Sequence, residues 1–296
     1  MRYTLRQLEV FLAIAHQQNV SKAAQALNLS QSAASSALKE MEQQFDVQLF
    51  DRIGKRLQLN EQGRLIRPKA EGLLAQAADL EQTLLKHADA GHLKVGATLS
   101  IGNYLAVNIM AEMMRQQPNA NITLEVANTA SISQKVLNFD LDIGLIEGEL
   151  QHSDLDVLPW RDDELAVFCS PEHPLAKKAT ITDQDLLQAQ WILREAGSGT
   201  RQAFERAMHG ILPDLQVAHE LQHTEAIKRA VEANLGLGCL SQITLEDAFN
   251  RGSLIRLPVP QRDFQRQFYF ILHKQKFRTA GIEQWMALCL QQPNRL

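Results

Sequence analysis

The chain has 296 residues, 45% hydrophobic and 22% charged, with a formal net charge of −4. This excludes a disordered, collagen-like or disulfide-stapled chain, and the length suits two or three domains. No run of about 18 apolar residues is available to span a membrane, and the first residues lack the apolar core of a secretion signal.

Leu5, Leu8, Phe11, Leu12 and Ala15 recur at helical spacing and predict an amphipathic first helix. A second, short helix follows from Ser21, with Ala23, Ala24 and Leu27 inward. Asn28 suits a tight turn that needs positive φ. Ser30 is a natural N-cap for a third helix with the buried stripe Ala34, Ala37, Leu38, Met41 and Phe45. Two short helices about a tight turn, behind a supporting helix, describe a helix-turn-helix. Ser21 and the outward face Gln31, Ser32, Ser35, Ser36 and Lys39 offer short polar groups to base edges and phosphates. Alternation on both sides of Gly54 predicts a two-stranded wing carrying Arg52, Lys55 and Arg56. Between positions 52 and 69, six Lys/Arg face only Glu61, a patch that either attracts phosphates or is a solvated basic face. The head as a whole reads as DNA-binding, or else as a helical oligomerisation unit.

Residues 61–87 are rich in Leu, Ala, Gln and Glu. Ile66, Leu73 and Leu80, interleaved with Ala70, Ala77 and Leu84, form a short coiled-coil seam. The seam serves a dimer, or it packs on its own domain. Residues 88–91 then read as a hinge. Beyond it, strands and helices alternate as in parallel α/β architecture: strands at 93–96, 122–126, 141–146, 165–169, 191–193, 216–221, 238–240 and 268–272. The helices are expected near 101–117 and 133–138. Lobe one is expected at about 92–162 and 267–296, and lobe two at about 163–266, with a ligand closing the two together.

No GxSxG, HExxH, P-loop or strand-borne GxGxxG occurs, and no cofactor loop accompanies the acidic residues, so an enzyme is not expected. Cys169, Cys239 and Cys289 lack CxxC spacing, which fits reduced thiols in a cytoplasm and no zinc site. The candidate effector residues sit at strand-to-helix junctions, where open α/β sheets bind ligands. They are Thr98, Ser100, Ile101, Gly102 and Asn103; Thr129 and Ser131; and Gly197, Ser198, Gly199, Thr200 and Arg201. Each junction is either an anion site or a well-capped helix start. Glu147 would bind a protonated anion, pair with Arg201, or close the cleft by hydrogen bonding.

Four separated blocks, Leu5–Phe11, Ser21–Ala24, Leu29–Ala33 and Leu49–Arg52, resemble the winged-helix signature of LysR-type transcriptional regulators. Asp46 and Asn60 depart from that pattern, yet Asp tolerates a left-handed C-cap and Asn caps a helix well. The blocks at 100–105, 142–148, 191–201 and Glu225–Lys228 resemble one branch of the family, regulators of sulfite reductase and sulfur assimilation, some responding to sulfite. Carbon-fixation regulators share the Gly-Ser-Gly-Thr-Arg element, and Ala106 replaces a usual Pro. The resemblance adds Glu225 to the effector residues. It implies a winged helix-turn-helix over 1–60, a linker helix and a two-lobed periplasmic-binding-protein-like domain. It further implies a dimer or tetramer on an interrupted palindrome in promoter DNA, in contact with RNA polymerase, with no cofactor. The expected effector is sulfite or a related sulfur oxyanion, with an organic acid or phosphorylated metabolite as the alternative. A reading outside the family is a metabolite-binding allosteric protein whose head docks on protein or RNA.

Overall fold

A computed structural model describes residues 2–54, 56–84 and 92–292. The chain divides into two units, residues 1–89 with 275–280, and residues 90–274 with 281–296. Lys55, the hinge expected over 88–91 and the Leu84 side chain lie outside what is described. No helix among the described residues is long and apolar enough to cross a membrane.

In the first unit each helix is fixed by its own ends. α1 (Leu5–Gln17) starts at Thr4, whose hydroxyl accepts from the Gln7 N–H while Gln7 Oε1 accepts from the Thr4 N–H. α2 (Val20–Ala26) begins one residue before Ser21 because Asn19 caps it, accepting from the Lys22 N–H at 3.0 Å. Asn28 takes φ 56° in the turn. α3 (Gln31–Phe45) is capped by Ser30 and ends on Asp46, which is left-handed at φ 52°. β1 (Phe50–Ile53) and β2 (Arg56–Leu59) pair antiparallel to make the wing. α4 (Glu61–Leu84) begins close against the strand entrance, where a Cβ on Gly63 would lie 2.2 Å from the Leu49 carbonyl oxygen. Val10, Phe11, Ile14, Ala24, Ala34 and Leu49 form the core. Two residues expected in that core are exposed, Leu5 and Phe45. They are the first residue of α1 and the last of α3, where each helix runs past its neighbours. Phe45 instead lines an apolar groove of about 300 Å³ with Tyr3, Ile66 and Leu73.

The second unit is built on one continuous path of strands, β4-β3-β5-β11-β6-β9-β7-β8, with β10 (Ile255–Arg256) on the side of β6. In lobe one, β3 (His92–Ala97) runs parallel to β4 (Asn121–Val126) and β5 (Ile143–Glu147). In lobe two, β7 (Gln190–Arg194) runs parallel to β8 (Gln216–Leu221) and β9 (Leu237–Ser241). The lobes share β6 (Leu155–Cys169), which pairs antiparallel with β11 (Gln265–His273) up to Glu164 and with β9 from Leu165 onward. The sheet is therefore mixed, not purely parallel. The parallel arms are joined by an antiparallel pair.

The helices of lobe one are α5 (Leu99–Ile101), a π-helical turn (Gly102–Ala106), α6 (Val107–Gln116) and α7 (Thr129–Leu137). Lobe two adds α8 (Asp183–Gln188), α9 (Gly199–Ala207), α10 (Thr224–Glu232) and α11 (Glu246–Arg251), and α12 (Ala280–Gln291) packs back on lobe one. The helix expected over 101–117 is thus interrupted by the π turn. The one expected from 133 starts at Thr129, since Asn128 caps it by accepting from the Ser131 N–H. Side chains of β7 alternate across its sheet: Trp191 and Leu193 pack with Phe204 of α9, while Ile192 packs with Ile227 and Val231 of α10.

Candidate functional site

The polar face of the head is where the sequence puts it. Ser21, Gln31, Ser32, Ser35, Ser36, Lys39, Arg52 and Arg56 are all exposed. Ser32 and Ser30 hydroxyls lie 3.0 Å apart at the start of α3, so the N-terminal turn presents hydroxyls and backbone donors together. The seam on α4 divides in two. Ile66 and Ala70 pack into the head's own core, whereas Leu73 and Leu80 are 37% and 59% exposed and Ala77 is half-buried.

In the second unit the start of α9 is locked against lobe one. The Gly199 N–H donates to Thr129 Oγ1 at 3.2 Å, and Thr129 Oγ1 donates to the Glu147 carbonyl at 2.9 Å. A Cβ on Gly199 would lie 1.8 Å from that carbonyl oxygen, so only glycine permits the approach. The Ala130 N–H donates to the Gly197 carbonyl, and Gly197 takes φ 85°. Ser198 caps α9 by accepting from the Arg201 N–H. Thr200 donates to Glu147 Oε1 at 2.8 Å and accepts from Arg266 Nη1 at 3.0 Å. Glu147 therefore pairs with Arg266, at 3.1 Å, and not with Arg201. Arg266 also holds Asp163 at 2.6 Å, and Ser241 donates to Asp163 at 2.7 Å. Burial raises the Asp163 carboxyl above its ordinary range, against the pull of Arg266. Arg201 turns to Glu205, Glu220 and the Arg194 carbonyl.

A second contact joins the lobes further along. Tyr104, in the π turn, donates to Glu225 at 3.1 Å, and Lys228 donates to Glu225 at 2.7 Å and to the Tyr104 oxygen at 3.3 Å. Of the other expected effector residues, Ile101 belongs to the lobe-one core, and Asn103 and Ser131 are exposed. Gly102 is packed against Val126, 2.7 Å from where its Cβ would be. Burial pushes the Cys169 thiol up to about 11 and raises Cys239 and Cys289 as well, so these are inert thiols.

Both lobes also carry buried polar atoms with no protein partner. Thr98 is 1% exposed at the end of β3, gives α5 no side-chain cap, and its Oγ1 is unpaired. Ser100, two residues on, is buried too. At the matching edge of lobe two, Thr224 Oγ1 and Arg194 Nη1 are buried and unpaired. An unmatched buried donor costs about 1–3 kcal/mol. Thr98, Thr224 and Arg194 each carry one such atom. Sequence reasoning missed Arg194, Thr224, Arg266 and Asp163. The one signal available was a charged pair, Arg194-Glu195, closing an otherwise apolar strand.

A winged helix-turn-helix with an exposed polar recognition helix, in a chain with a two-lobed binding domain, defines a ligand-responsive DNA-binding regulator. Residues 5–64 match the bacterial regulatory helix-turn-helix protein, lysR family, and residues 86–294 match the LysR substrate binding domain. The chain belongs to the LysR family of transcriptional regulators and is not an enzyme. Members bind DNA through the helix-turn-helix, bind an effector in the substrate-binding domain, and form oligomers. Over 98% of both chains it is 42% identical to the HTH-type transcriptional regulator YeiE of Escherichia coli. A full-length OxyR variant from Pseudomonas aeruginosa shares the fold over 98% of both chains, with a TM-score of 0.76 and 23% identity. The CcmR regulatory domain of Synechocystis in complex with 2-PG matches 68% of this chain and 96% of its own, at 28% identity and a TM-score of 0.63.

Proposed function

We propose that this regulator reads an interrupted palindrome in promoter DNA as a dimer or tetramer, and that a small anion binding between its lobes sets its activity. Sulfite or a related sulfur oxyanion is the first candidate. The observation that carries the effector reading is the group of unpaired buried donors, Thr98 in lobe one with Arg194 and Thr224 in lobe two. Donors without acceptors select a ligand rich in acceptor oxygens. Resemblance to the sulfur-assimilation branch supports the choice of sulfite among such anions. A phosphorylated metabolite or an organic acid is the second reading, favoured by the 2-PG bound to the related CcmR domain.

On DNA, the hydroxyls and amide of α3 reach the major groove while Arg52 and Arg56 meet the backbone. The sequence adds Lys55 to these backbone contacts. The exposed Leu73 and Leu80 of α4 support pairing with a second copy. Contact with RNA polymerase and a cytoplasmic location accompany this reading, and no cofactor is needed.

A gel-shift on the protein's own upstream region, titrated with sulfite, sulfate and a phosphorylated acid, tests it. Sulfite is expected to raise the melting temperature and change promoter affinity, by its differential affinity for the closed state. Ser35→Glu is expected to abolish promoter binding with the oligomer intact, since a carboxylate on that face repels phosphate. Unchanged DNA binding by Ser35→Glu overturns the DNA interface. A response to the phosphorylated acid alone replaces sulfite with the second reading.

A further inference from the structure

Of the lobe-two residues expected to hold the anion, Ser198–Arg201, the Gly199 N–H, the Thr200 hydroxyl and the Arg201 N–H already donate within the protein. A buried charged N–H with no partner is a stronger candidate to meet the effector's charge. We propose that Arg194 is that group: its Nη1, the Thr224 hydroxyl and the N-terminus of α10 form the anion subsite that determines specificity. Glu195 is the resident carboxylate with which the effector competes. The proposal rests on the effector reading above.

Arg194 is the last residue of β7 and follows Ile192 onto the face covered by α10. The strand register sets it opposite Leu221, three residues before α10 opens at Thr224. Its guanidinium is 1% exposed. Nε and Nη2 donate to the two oxygens of Glu195, at 2.8 and 3.0 Å, which leaves Nη1 unpaired. α10 receives no side-chain cap from His223, so the backbone donors of its first turn also lack a side-chain acceptor. Thr224 Oγ1 and Arg194 Nη1 have no bond to each other, and each is left for a third group.

The subsite thus offers a charged N–H, a hydroxyl and a helix N-terminus, all donors. It suits a compact anion with several acceptor oxygens, such as sulfite or the head of a phosphorylated acid. Because Glu195 already neutralises Arg194, a weak acceptor gains little there, and the ligand must rival a carboxylate. Glu195 Oε1 also accepts from Asn128 of lobe one at 3.1 Å, so an effector that draws Arg194 away acts on a contact joining the lobes.

Calorimetric titration of sulfite and sulfate into the full-length protein tests this with substitutions of opposite expected sign. Glu195→Gln removes the competing carboxylate and is expected to tighten sulfite binding by about threefold or more. Arg194→Gln with Glu195→Gln leaves no buried charge unpaired and is expected to weaken it by about tenfold or more. A purely structural role for the pair gives no tightening in the first variant. Wild-type affinity in the double variant, or weaker binding in Glu195→Gln, overturns the assignment. If the double variant fails to fold, Thr224→Val removes one hydroxyl from the same subsite, and unchanged affinity there overturns it equally. A wild-type protein that binds sulfite while the variants behave as wild type faults the subsite alone. A wild-type protein indifferent to sulfite, sulfate and phosphorylated acids faults the effector reading and this assignment with it.

Discussion

Two helices of lobe two begin near the junction of the lobes, and their donors are used in opposite ways. At the start of α9 the Gly199 N–H, the Thr200 hydroxyl and the Ser198 cap all have protein partners, several of them in lobe one. At the start of α10 the Thr224 hydroxyl and the neighbouring Arg194 Nη1 have none. The first arrangement holds the lobes together through the protein's own groups. The second leaves acceptors to be supplied from outside. The Gly-Ser-Gly-Thr-Arg run looks the fitter for an anion in the sequence, and only the partner of each donor separates a lock from a binding site.

The lock is broken most severely at Arg266. Arg266→Met strands Glu147 and Asp163 as buried carboxylates without the cation they bond, and a loss of about 3–5 kcal/mol is expected in denaturant unfolding of the full chain. Gly199→Ala forces a methyl group onto the Glu147 carbonyl, with an expected loss of about 1–3 kcal/mol. The same measurement checks it, and a fully stable Gly199→Ala variant would contradict the tight approach of the lobes.

Acid probes the contacts more gently. Burial works to raise the carboxyl of Glu195, but the hydrogen bonds and charge of Arg194, with Asn128, outweigh it and hold the group below its ordinary 4.5. Glu225 is lowered in the same way, with Lys228 and Tyr104 overcoming burial. A depressed carboxylate contributes stability above the unfolded value, and that stability is lost as pH falls through the folded one. Melting temperature is therefore expected to drop below about pH 4.5, and Glu195→Gln to flatten the slope. An equally steep slope in that variant would remove Glu195 from the acid response.

The head was legible in the sequence because its signals are local. Ser30, Asn28 and Asp46 each set a helix end or turn within four residues of where they stand, and the apolar spacing did the rest. Leu5 and Phe45 misled because periodicity carries no knowledge of where a helix outruns its neighbours. The junctions at Thr98, Thr129 and Gly199 were legible as strand-to-helix turns. Their partners were not, since Glu147 and Arg266 meet across 119 residues of chain. The first two-thirds of β6 was hidden by Pro159, Asp162, Asp163 and Glu164, which break an apolar run even though Asp163 is buried against Arg266. Buried charges that neutralise each other inside a sheet leave no apolar trace, and Arg194 was overlooked for the same reason.

Thermal unfolding of Thr200→Val and Thr224→Val, each with and without sulfite, tests the distinction between the two helix starts most directly. Thr200→Val removes a hydroxyl bonded to Glu147 and Arg266, so the ligand-free protein is expected to lose about 1–3 kcal/mol and still to gain stability with sulfite. Thr224→Val removes a hydroxyl without a partner, so the ligand-free protein is expected to melt as wild type does, with most of the sulfite shift gone. The reverse pattern, in which Thr224→Val destabilises the free protein and Thr200→Val abolishes the sulfite shift, would contradict it.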